Sequence, residues 1–254
     1  MLNSCLMLSK LSTIIRNPEI LLIILKTGNK KSVKQYLSIK KNRDLMIKVC
    51  NEIDFMLSKN KTIDEIIEYV SKKFNFMKYP IIWYSLIRKH HLKIVVETGV
   101  SMGWSSFMIL IALQRENSGK LYSIDIDSSE TVKQDGGVGY LVPDYLKKYW
   151  NLTIGDTNKL LEPTLRELKQ LDMFIHDSEH SYQTMSYEYN LAWKFLKNNR
   201  FLCSDDINHS NAFDEFVTQH KHEIENLYET EEIQRPFDDV NKKPMIGFLQ
   251  KIIT

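Results

Sequence analysis

The spacing of apolar residues along the chain changes its period near residue 90. In the upstream part, four aliphatic side chains recur at helical spacing: Ile63, Ile66, Ile67 and Val70. Such spacing places them on one face of a helix. Thr62 precedes this run and Glu65 lies three positions further on, which is the capping-box pattern of a helix start. We therefore predict that residues 1–90 form a helical N-terminal extension.

From residue 93 onward, short β-branched or aromatic runs alternate with helical stretches, a pattern typical of βαβ units. The runs that predict parallel strands are 94–98, 121–125, 151–154, 173–176 and 201–204. Two later runs, 227–231 and 245–250, predict an antiparallel pair. We predict one α/β domain over residues 91–254. Its fold would be a Rossmann-like, doubly wound, mostly parallel seven-stranded sheet with an antiparallel last strand.

The composition is that of a globular chain. Of 254 residues, 43% are hydrophobic and 26% are charged, and glycine (9) and proline (6) are sparse, which excludes collagen-like and wholly disordered chains. The longest aliphatic run, residues 20–25, has six residues. A membrane-spanning helix needs about 20 apolar residues, so we expect none here. Three scattered cysteines fit neither a disulfide framework nor a zinc motif, and we expect a cytoplasmic protein without a signal peptide.

The net charge of +2 conceals an uneven distribution. Residues 1–90 carry 17 basic and 7 acidic side chains, whereas the remainder carries 17 and 25. The basic segment is compatible with a solvated helical face, a peripheral contact with an anionic membrane surface, or a homo-oligomer interface. Its basic residues are not interleaved with a pattern of aromatic residues for base stacking, which argues against a nucleic-acid partner.

The first candidate site follows the first predicted strand. There Gly99 and Gly103 allow a tight turn, and the N–H groups at the start of the following helix attract polar groups of a ligand. Asp125 ends the next predicted strand, where nucleotide-binding α/β folds carry an acidic residue for the ribose hydroxyls. Asp156, after the third strand, either reaches an adenine amino group or caps a helix over 158–168. For the glycines, the alternative is a turn that only packs helix against strand.

The second candidate site combines acidic residues at the ends of two later strands. Asp177 follows the fourth predicted strand, and Asp205 and Asp206 follow the fifth. Because adjacent parallel strands end at the same sheet edge, the three carboxylates can converge, and their repulsion favours a hard divalent cation such as Mg²⁺. His180 lies one helical turn from Asp177 and suits a general base near neutral pH. The alternative is that His180 and the paired aspartates only cap helices.

Together these residues resemble the class I S-adenosylmethionine-dependent methyltransferases, over about residues 90–254. The segment from Glu97 to Ser105 is similar to the E-x-G-x-x-x-G-x-S motif of one branch, and Asp177 begins a D-x-x-H-S-Y element. Within the superfamily, the chain most resembles the metal-dependent macrocin-type sugar O-methyltransferases and their cephalosporin-hydroxylase-like relatives. Asp205 stands where those relatives carry a glutamate.

The resemblance implies an enzyme that transfers a methyl group from S-adenosylmethionine to a hydroxyl of a small-molecule or sugar-like acceptor. It implies these cofactor-binding residues: Glu97, Gly99, Val100, Ser101, Gly103, Ser105, Asp125 and Asp156. It also implies that Asp177, Asp205 and Asp206 bind Mg²⁺ and that His180, acting with Asp177, takes the proton of the acceptor. Two alternatives stay open: a hydroxylase-like relative that holds a redox metal in the same acidic cluster, and a non-catalytic scaffold that keeps the cofactor fold.

Overall fold

Three helices precede the first strand within the residues that the structure describes. The computed structural model describes residues 30–126, 136–230 and 245–252. These helices are α1 (Lys30–Ser58), α2 (Ile63–Phe74) and α3 (Lys78–His90). The chain divides into two units, Met1–Lys48 and Val49–Thr254, and the first unit is described over residues 30–48, the beginning of α1. The helical character predicted for residues 1–90 is present from residue 30 onward, and residues 1–29 lie outside the described part.

The predicted start of α2 is confirmed by its capping box. The Glu65 N–H donates to the Thr62 hydroxyl at 3.2 Å, and the Thr62 N–H donates to the Glu65 carboxylate at 2.8 Å. The helix buries three of its predicted apolar positions: Ile66, Ile67 and Val70. Helical spacing therefore identifies the packed face correctly.

A seven-stranded sheet forms the centre of the second unit. Its strands are β1 (Ile94–Thr98), β2 (Lys120–Asp125), β3 (Trp150–Ile154), β4 (Leu171–His176), β5 (Leu196–Ser204), β6 (Ile224–Glu229) and β7 (Gly247–Lys251). They lie in the order β3-β2-β1-β4-β5-β7-β6. All neighbouring pairs from β3 to β5 are parallel, whereas β7 pairs antiparallel with both β5 and β6. The predicted Rossmann-like sheet with an antiparallel last strand is confirmed.

Helices connect the parallel strands: α4 (Trp104–Arg115), α5 (Thr157–Leu168), α6 (Tyr182–Phe195) and α7 (Ala212–His220). One fully buried cluster joins sheet and helices, with Val96 of β1, Phe174 of β4, Tyr189 of α6 and Phe213 of α7 among its members. Because β1 and β4 are central and buried on both faces, their side chains are apolar over most of their length. The core thus fixes the carboxyl ends of β1 and β4, which carry the candidate site.

The strand predicted over 201–204 is longer in the structure. β5 begins at Leu196, directly after α6 ends at Phe195. The added residues include exposed Asn198 and Asn199, so the amino-terminal half of β5 lacks the apolar pattern that would have predicted it. The strand predicted over 227–231 corresponds to β6, and its last residue lies outside the described part. No helix within residues 30–126, 136–230 and 245–252 is long and apolar enough to cross a membrane.

Candidate active site

The turn after β1 requires glycine for two reasons. Gly99 has a φ of +81°, and a Cβ atom there would lie 1.9 Å from the carbonyl oxygen of Asp177. This contact is far inside van der Waals distance, so the ends of β1 and β4 approach each other only because residue 99 lacks a side chain. Gly103, with a φ of +90°, then begins α4 as its N-cap residue. Both glycines have local packing roles, and Gly99 also faces the crevice described below.

Asp125, at the end of β2, holds the glycine turn in place. Its Oδ2 atom accepts the backbone N–H groups of Val100 at 2.7 Å and Ser101 at 2.9 Å. Ser101 has a φ of 50°, a left-handed conformation that is uncommon for residues other than glycine. The two hydrogen bonds help to maintain this conformation and place the loop beside the end of β2.

A crevice of about 320 Å³ opens at the carboxyl ends of β1, β2 and β4. Five predicted cofactor-binding residues line it: Gly99, Val100, Ser101, Asp125 and Asp156. Sequence reasoning missed seven further lining residues: Ile124, Ile126, Thr157, Asn158, Asp177 as a crevice residue, Ser178 and Glu179. Ile126 is notable because its side chain is 61% exposed directly after Asp125, which leaves an apolar surface at the rim. Its position one residue beyond a strand end was the available signal.

The other predicted cofactor-binding residues, Glu97, Gly103 and Ser105, are not among the described residues that line the crevice. The Glu97 carboxylate is fully buried and accepts hydrogen bonds from the Ser105 and Ser106 hydroxyls, each at 2.6 Å, and from Ser123 at 2.9 Å. Burial raises the pKa of Glu97 to about 7, although the three hydroxyls act in the opposite direction. Glu97 therefore joins β1, β2 and the start of α4 beneath the glycine loop.

Asp156 has one of the two roles that the sequence left open, the helix cap. It is the N-cap residue of α5, and its side chain accepts the Asn158 N–H at 2.9 Å. It also lines the crevice, on the side where β3 ends. The capping role is thus present, and the same position allows contact with a bound ligand.

Two carboxylates and one imidazole gather beside the crevice. One possible ligand atom each from Asp177, His180 and Asp205 lies within 4.8 Å of the others. Asp206, predicted as a third acidic ligand, lies next to this set, with its Oδ2 atom 3.9 Å from Nδ1 of His180. Its φ of 48° is a further left-handed conformation at this edge. Carboxylate oxygens and an imidazole nitrogen form a donor set suited to a divalent cation.

Helix capping does not account for this cluster. The N-cap residue of α6 is Ser181, whose hydroxyl accepts the Thr184 N–H at 3.3 Å. Asp206 precedes the short 3-10 helix Ile207–His209, but its side chain makes no capping hydrogen bond. The alternative that His180 and Asp206 serve as ordinary helix caps is therefore wrong.

A segment that contains Gly139 and Leu141 packs against the glycine turn after β1. The Gly139 N–H donates to the Ser101 carbonyl at 2.8 Å, and the Leu141 N–H donates to the Met102 carbonyl at 3.0 Å. Gly139 lies against the Trp150 ring, where a Cβ atom would come within 2.2 Å. The segment therefore stabilises the glycine turn through backbone hydrogen bonds, and a side chain at residue 139 would clash with Trp150.

A larger groove of about 780 Å³ lies along the end of α1 and along α2. Most of its charged side chains form ion pairs with one another: Lys61 with Glu65, Lys72 with Glu68, and Lys73 with Glu52. Mutually neutralised charges of this kind are typical of a solvated helical surface. The edge of the sheet, where the motifs converge, is the better candidate site.

Comparison with known proteins agrees with this assignment. Residues 96–207 match a protein-family model described as a methyltransferase domain. The match extends from β1 to the 3-10 helix after Asp206, so it contains the whole crevice and the acidic cluster. Residues 96–207 are therefore similar to a methyltransferase domain.

Solved structures with a related fold include O-methyltransferases. The O-methyltransferase TomG from Streptomyces achromogenes, involved in tomaymycin synthesis and solved in complex with SAM, has 16% sequence identity and a TM-score of 0.46. The alignment covers 72% of this chain and 86% of that chain. An O-methyltransferase from Bacillus cereus in complex with SAH has 13% identity and a TM-score of 0.46, covering 75% and 91%. A search of curated protein sequences finds no match to the chain.

Proposed function

We propose that the protein transfers the methyl group of S-adenosylmethionine to a hydroxyl oxygen of a small or sugar-like acceptor. The observation that carries this proposal is the position of Asp177. It lines the cofactor crevice and also belongs to the cluster with His180 and Asp205. A methyl donor in the crevice and an acceptor hydroxyl at the cluster would therefore lie next to each other, beside Asp177. Such proximity is what an in-line displacement requires.

The crevice supplies the groups that S-adenosylmethionine needs. Asp125 would accept hydrogen bonds from the ribose hydroxyls, as acidic residues at this position do in nucleotide-binding α/β folds. Asp156 would lie near the adenine amino group, and exposed Ile126 would cover the adenine ring. The backbone of Gly99 and Ser101 would face the methionine part, with Glu97 supporting the loop from behind.

The donor set of the cluster fits a divalent cation such as Mg²⁺. Asp177 and Asp205 would hold it, and His180 is within reach as a ligand or a base. A bound cation would neutralise the carboxylates, orient the acceptor hydroxyl and lower its pKa. Asp205 is the residue directly after the end of β5, and this position brings its short side chain to the cluster.

In the transfer, the acceptor oxygen forms a bond to the methyl carbon while the carbon–sulfur bond breaks, and S-adenosylhomocysteine leaves. His180 would accept the hydroxyl proton, which general-base catalysis requires near neutral pH. The Asp206 carboxylate, 3.9 Å from Nδ1 of His180, would stabilise the resulting imidazolium. We therefore assign Asp206 to His180 rather than to the cation.

A methyl-transfer assay tests this proposal. The protein would be incubated with methyl-labelled S-adenosylmethionine and three sets of soluble acceptors that offer a hydroxyl, an amine or a thiol, with Mg²⁺ or with EDTA. The expected result is labelled product from hydroxyl acceptors, with turnover lost in EDTA. Transfer only to amines or thiols would contradict O-methylation, and cofactor binding without any turnover would favour the scaffold alternative.

A further inference from the structure

A buried carboxylate lies directly behind the acidic cluster. Glu188, in the second turn of α6, has no exposed surface. Its Oε2 atom accepts the Thr98 hydroxyl at 2.5 Å and contacts Nδ1 of His176 at 2.7 Å. Its Oε1 atom accepts the Ser178 hydroxyl at 2.9 Å. A buried carboxylate is costly unless donors surround it, and three donors converge here on one group.

These three donors lie at the point where the central strands end. Thr98 and His176 are register partners, as the last residues of β1 and β4, and Ser178 is two residues beyond β4. Asp177 lies between His176 and Ser178, so both of its chain neighbours are held by the same carboxylate. Its own N–H donates to the Thr98 carbonyl at 2.8 Å. Glu188 thus fixes the backbone from which the Asp177 side chain reaches the cluster.

His176 extends this arrangement to His180. The Glu188 Oε2 atom that accepts the Thr98 hydroxyl also faces Nδ1 of His176, and an Nδ1–H tautomer of His176 donates to it. This bond sets the orientation of the buried His176 ring. The ring then packs against His180 in an edge-to-face arrangement, with centroids 5.3 Å apart and an interplanar angle of 88°. The position of the His180 imidazole therefore depends on a ring that Glu188 orients.

We propose that Glu188 is the positioning residue of the active site, which holds Asp177 through Ser178 and His180 through His176. The inference rests on the proposed function for the roles of Asp177 and His180. It adds a residue of α6 that is neither one of the described crevice-lining residues nor a member of the cluster. Its effect would be on the geometry of the cation and base groups, and the Asp125 side of the cofactor site would be left intact.

Two substitutions of Glu188 separate positioning from packing. Glu188→Met keeps the side-chain length and removes all hydrogen-bond acceptors except sulfur, whereas Glu188→Gln retains an oxygen for His176 and Thr98. We expect Glu188→Met to weaken Mn²⁺ binding by about 10- to 100-fold, the usual effect of losing a group that orients metal ligands. The affinity for S-adenosylmethionine should stay within about threefold. Glu188→Gln should bind Mn²⁺ nearly as the wild type does.

Asp172→Asn provides the matched control. Asp172 is a second buried carboxylate in the same sheet, at the opposite end of β4, and it accepts the backbone N–H groups of Lys93 and Ile94. Its loss should lower the melting temperature without changing Mn²⁺ affinity. Equal weakening of Mn²⁺ binding in Asp172→Asn and Glu188→Met, at equal loss of stability, would overturn the inference. Unchanged Mn²⁺ binding in Glu188→Met would overturn it as well.

A measurement without any cation distinguishes this inference from the proposed function. Nitrogen-15 NMR of histidine in the wild type should show an Nδ1–H tautomer of His176, and Glu188→Met should shift the resonances of both His176 and His180. If Glu188→Met does not fold, Thr98→Val removes one of the three donors and should shift the same resonances less. Failure of the wild type to bind Mn²⁺ would contradict the cation in the proposed function, whereas unshifted His180 resonances would overturn the role of Glu188.

Discussion

Two buried carboxylates at opposite ends of the central strands show how differently the two edges of the sheet are built. At the amino end of β4, Asp172 forms ion pairs with Lys197 at 2.9 Å and Arg200 at 3.3 Å. Burial raises its pKa, but Lys197 and two backbone N–H groups outweigh burial, and the pKa is lowered. Near the carboxyl end of β1, Glu97 contacts only neutral serine hydroxyls among its described hydrogen-bond partners, and burial raises its pKa to about 7.

The difference separates the amino edge of the sheet, where the strands β1 and β4 begin, from the carboxyl edge, where they end and where we propose the active site. At the amino edge, Lys197, Arg200 and two backbone N–H groups surround the Asp172 carboxylate. The backbone hydrogen bonds of Asp172 also join β4 to the start of β1. At the carboxyl edge, Asp177, Asp205 and His180 bring their ligand atoms together instead. Like charges held this close cost stability unless a proton or cation shares the site. Substitutions at the two edges should therefore have opposite consequences for folding and for activity.

The largest expected effect is on catalysis at the carboxyl edge. His180→Ala should lower turnover by about 10²- to 10⁴-fold, because it removes the proposed general base. The affinity for S-adenosylmethionine should change little, since His180 is not among the described residues that line the crevice. Single-turnover methyl transfer and calorimetric titration measure the two quantities separately.

The control for this variant is His222→Ala. His222 is exposed and lies just before β6. It should leave turnover and cofactor affinity unchanged. Equal turnover in His180→Ala and the wild type would remove His180 from the mechanism.

The second effect is a pH-dependent change in stability at Glu97. Its pKa in the folded protein, about 7, lies above the ordinary value of 4.5. The folded state therefore binds more protons than the unfolded state between these values, and stability falls as the pH rises from about 4.5 to above 7. At full ionisation the cost is about 3 kcal/mol. Glu97→Gln should be similar to the wild type at low pH and more stable at high pH.

Urea unfolding at several pH values between 4 and 8.5 would test this expectation. The measured quantity is the difference in free energy of unfolding between Glu97→Gln and the wild type. A difference that does not grow with pH would show that Glu97 is ionised without penalty in the folded protein.

The third effect is the smallest and concerns the amino edge. Asp172→Asn should lower the free energy of unfolding by about 2 kcal/mol, because it weakens hydrogen bonds to charged and backbone donors. The pKa of Asp172 is lower in the folded protein than in the unfolded chain. Its contribution to stability is therefore present above the pKa of the unfolded state, and it is lost as the pH falls through the pKa of the folded state. Thermal unfolding at pH 7 and at pH 3 measures this loss. A reduced turnover at full folding would contradict the separation of the two edges.

Much of the fold could be predicted because local patterns and global topology agree. The β-branched run that forms β1 and the capping box of α2 are local signals, and both are present in the structure. The convergence of Asp177 with Asp205 also followed from the sequence, since β4 and β5 are parallel neighbours whose carboxyl ends coincide. Residues that follow two neighbouring parallel strands thus lie close together even when they are far apart in sequence.

The contacts behind the site could not be predicted in the same way. Glu97 is the first residue of a recognisable motif. Its side chain nevertheless faces the interior, because the hydroxyls of three serines on other elements donate hydrogen bonds to its carboxylate. Glu188 is one polar residue in a helix of mixed character, and nothing in its spacing indicates that Thr98, His176 and Ser178 converge on it. Such roles depend on tertiary packing, which sequence periodicity does not encode.

The central claim is that the carboxyl edge of the sheet binds S-adenosylmethionine through Asp125. Calorimetric titration of the wild type, Asp125→Ala and the amino-edge control Asp172→Asn tests it directly. We predict binding to the wild type and to Asp172→Asn, with affinity weakened by about 10- to 100-fold in Asp125→Ala, the effect of losing hydrogen bonds to a charged group. A folded wild type that does not bind the cofactor, or an Asp125→Ala variant that binds it equally well, would contradict the account.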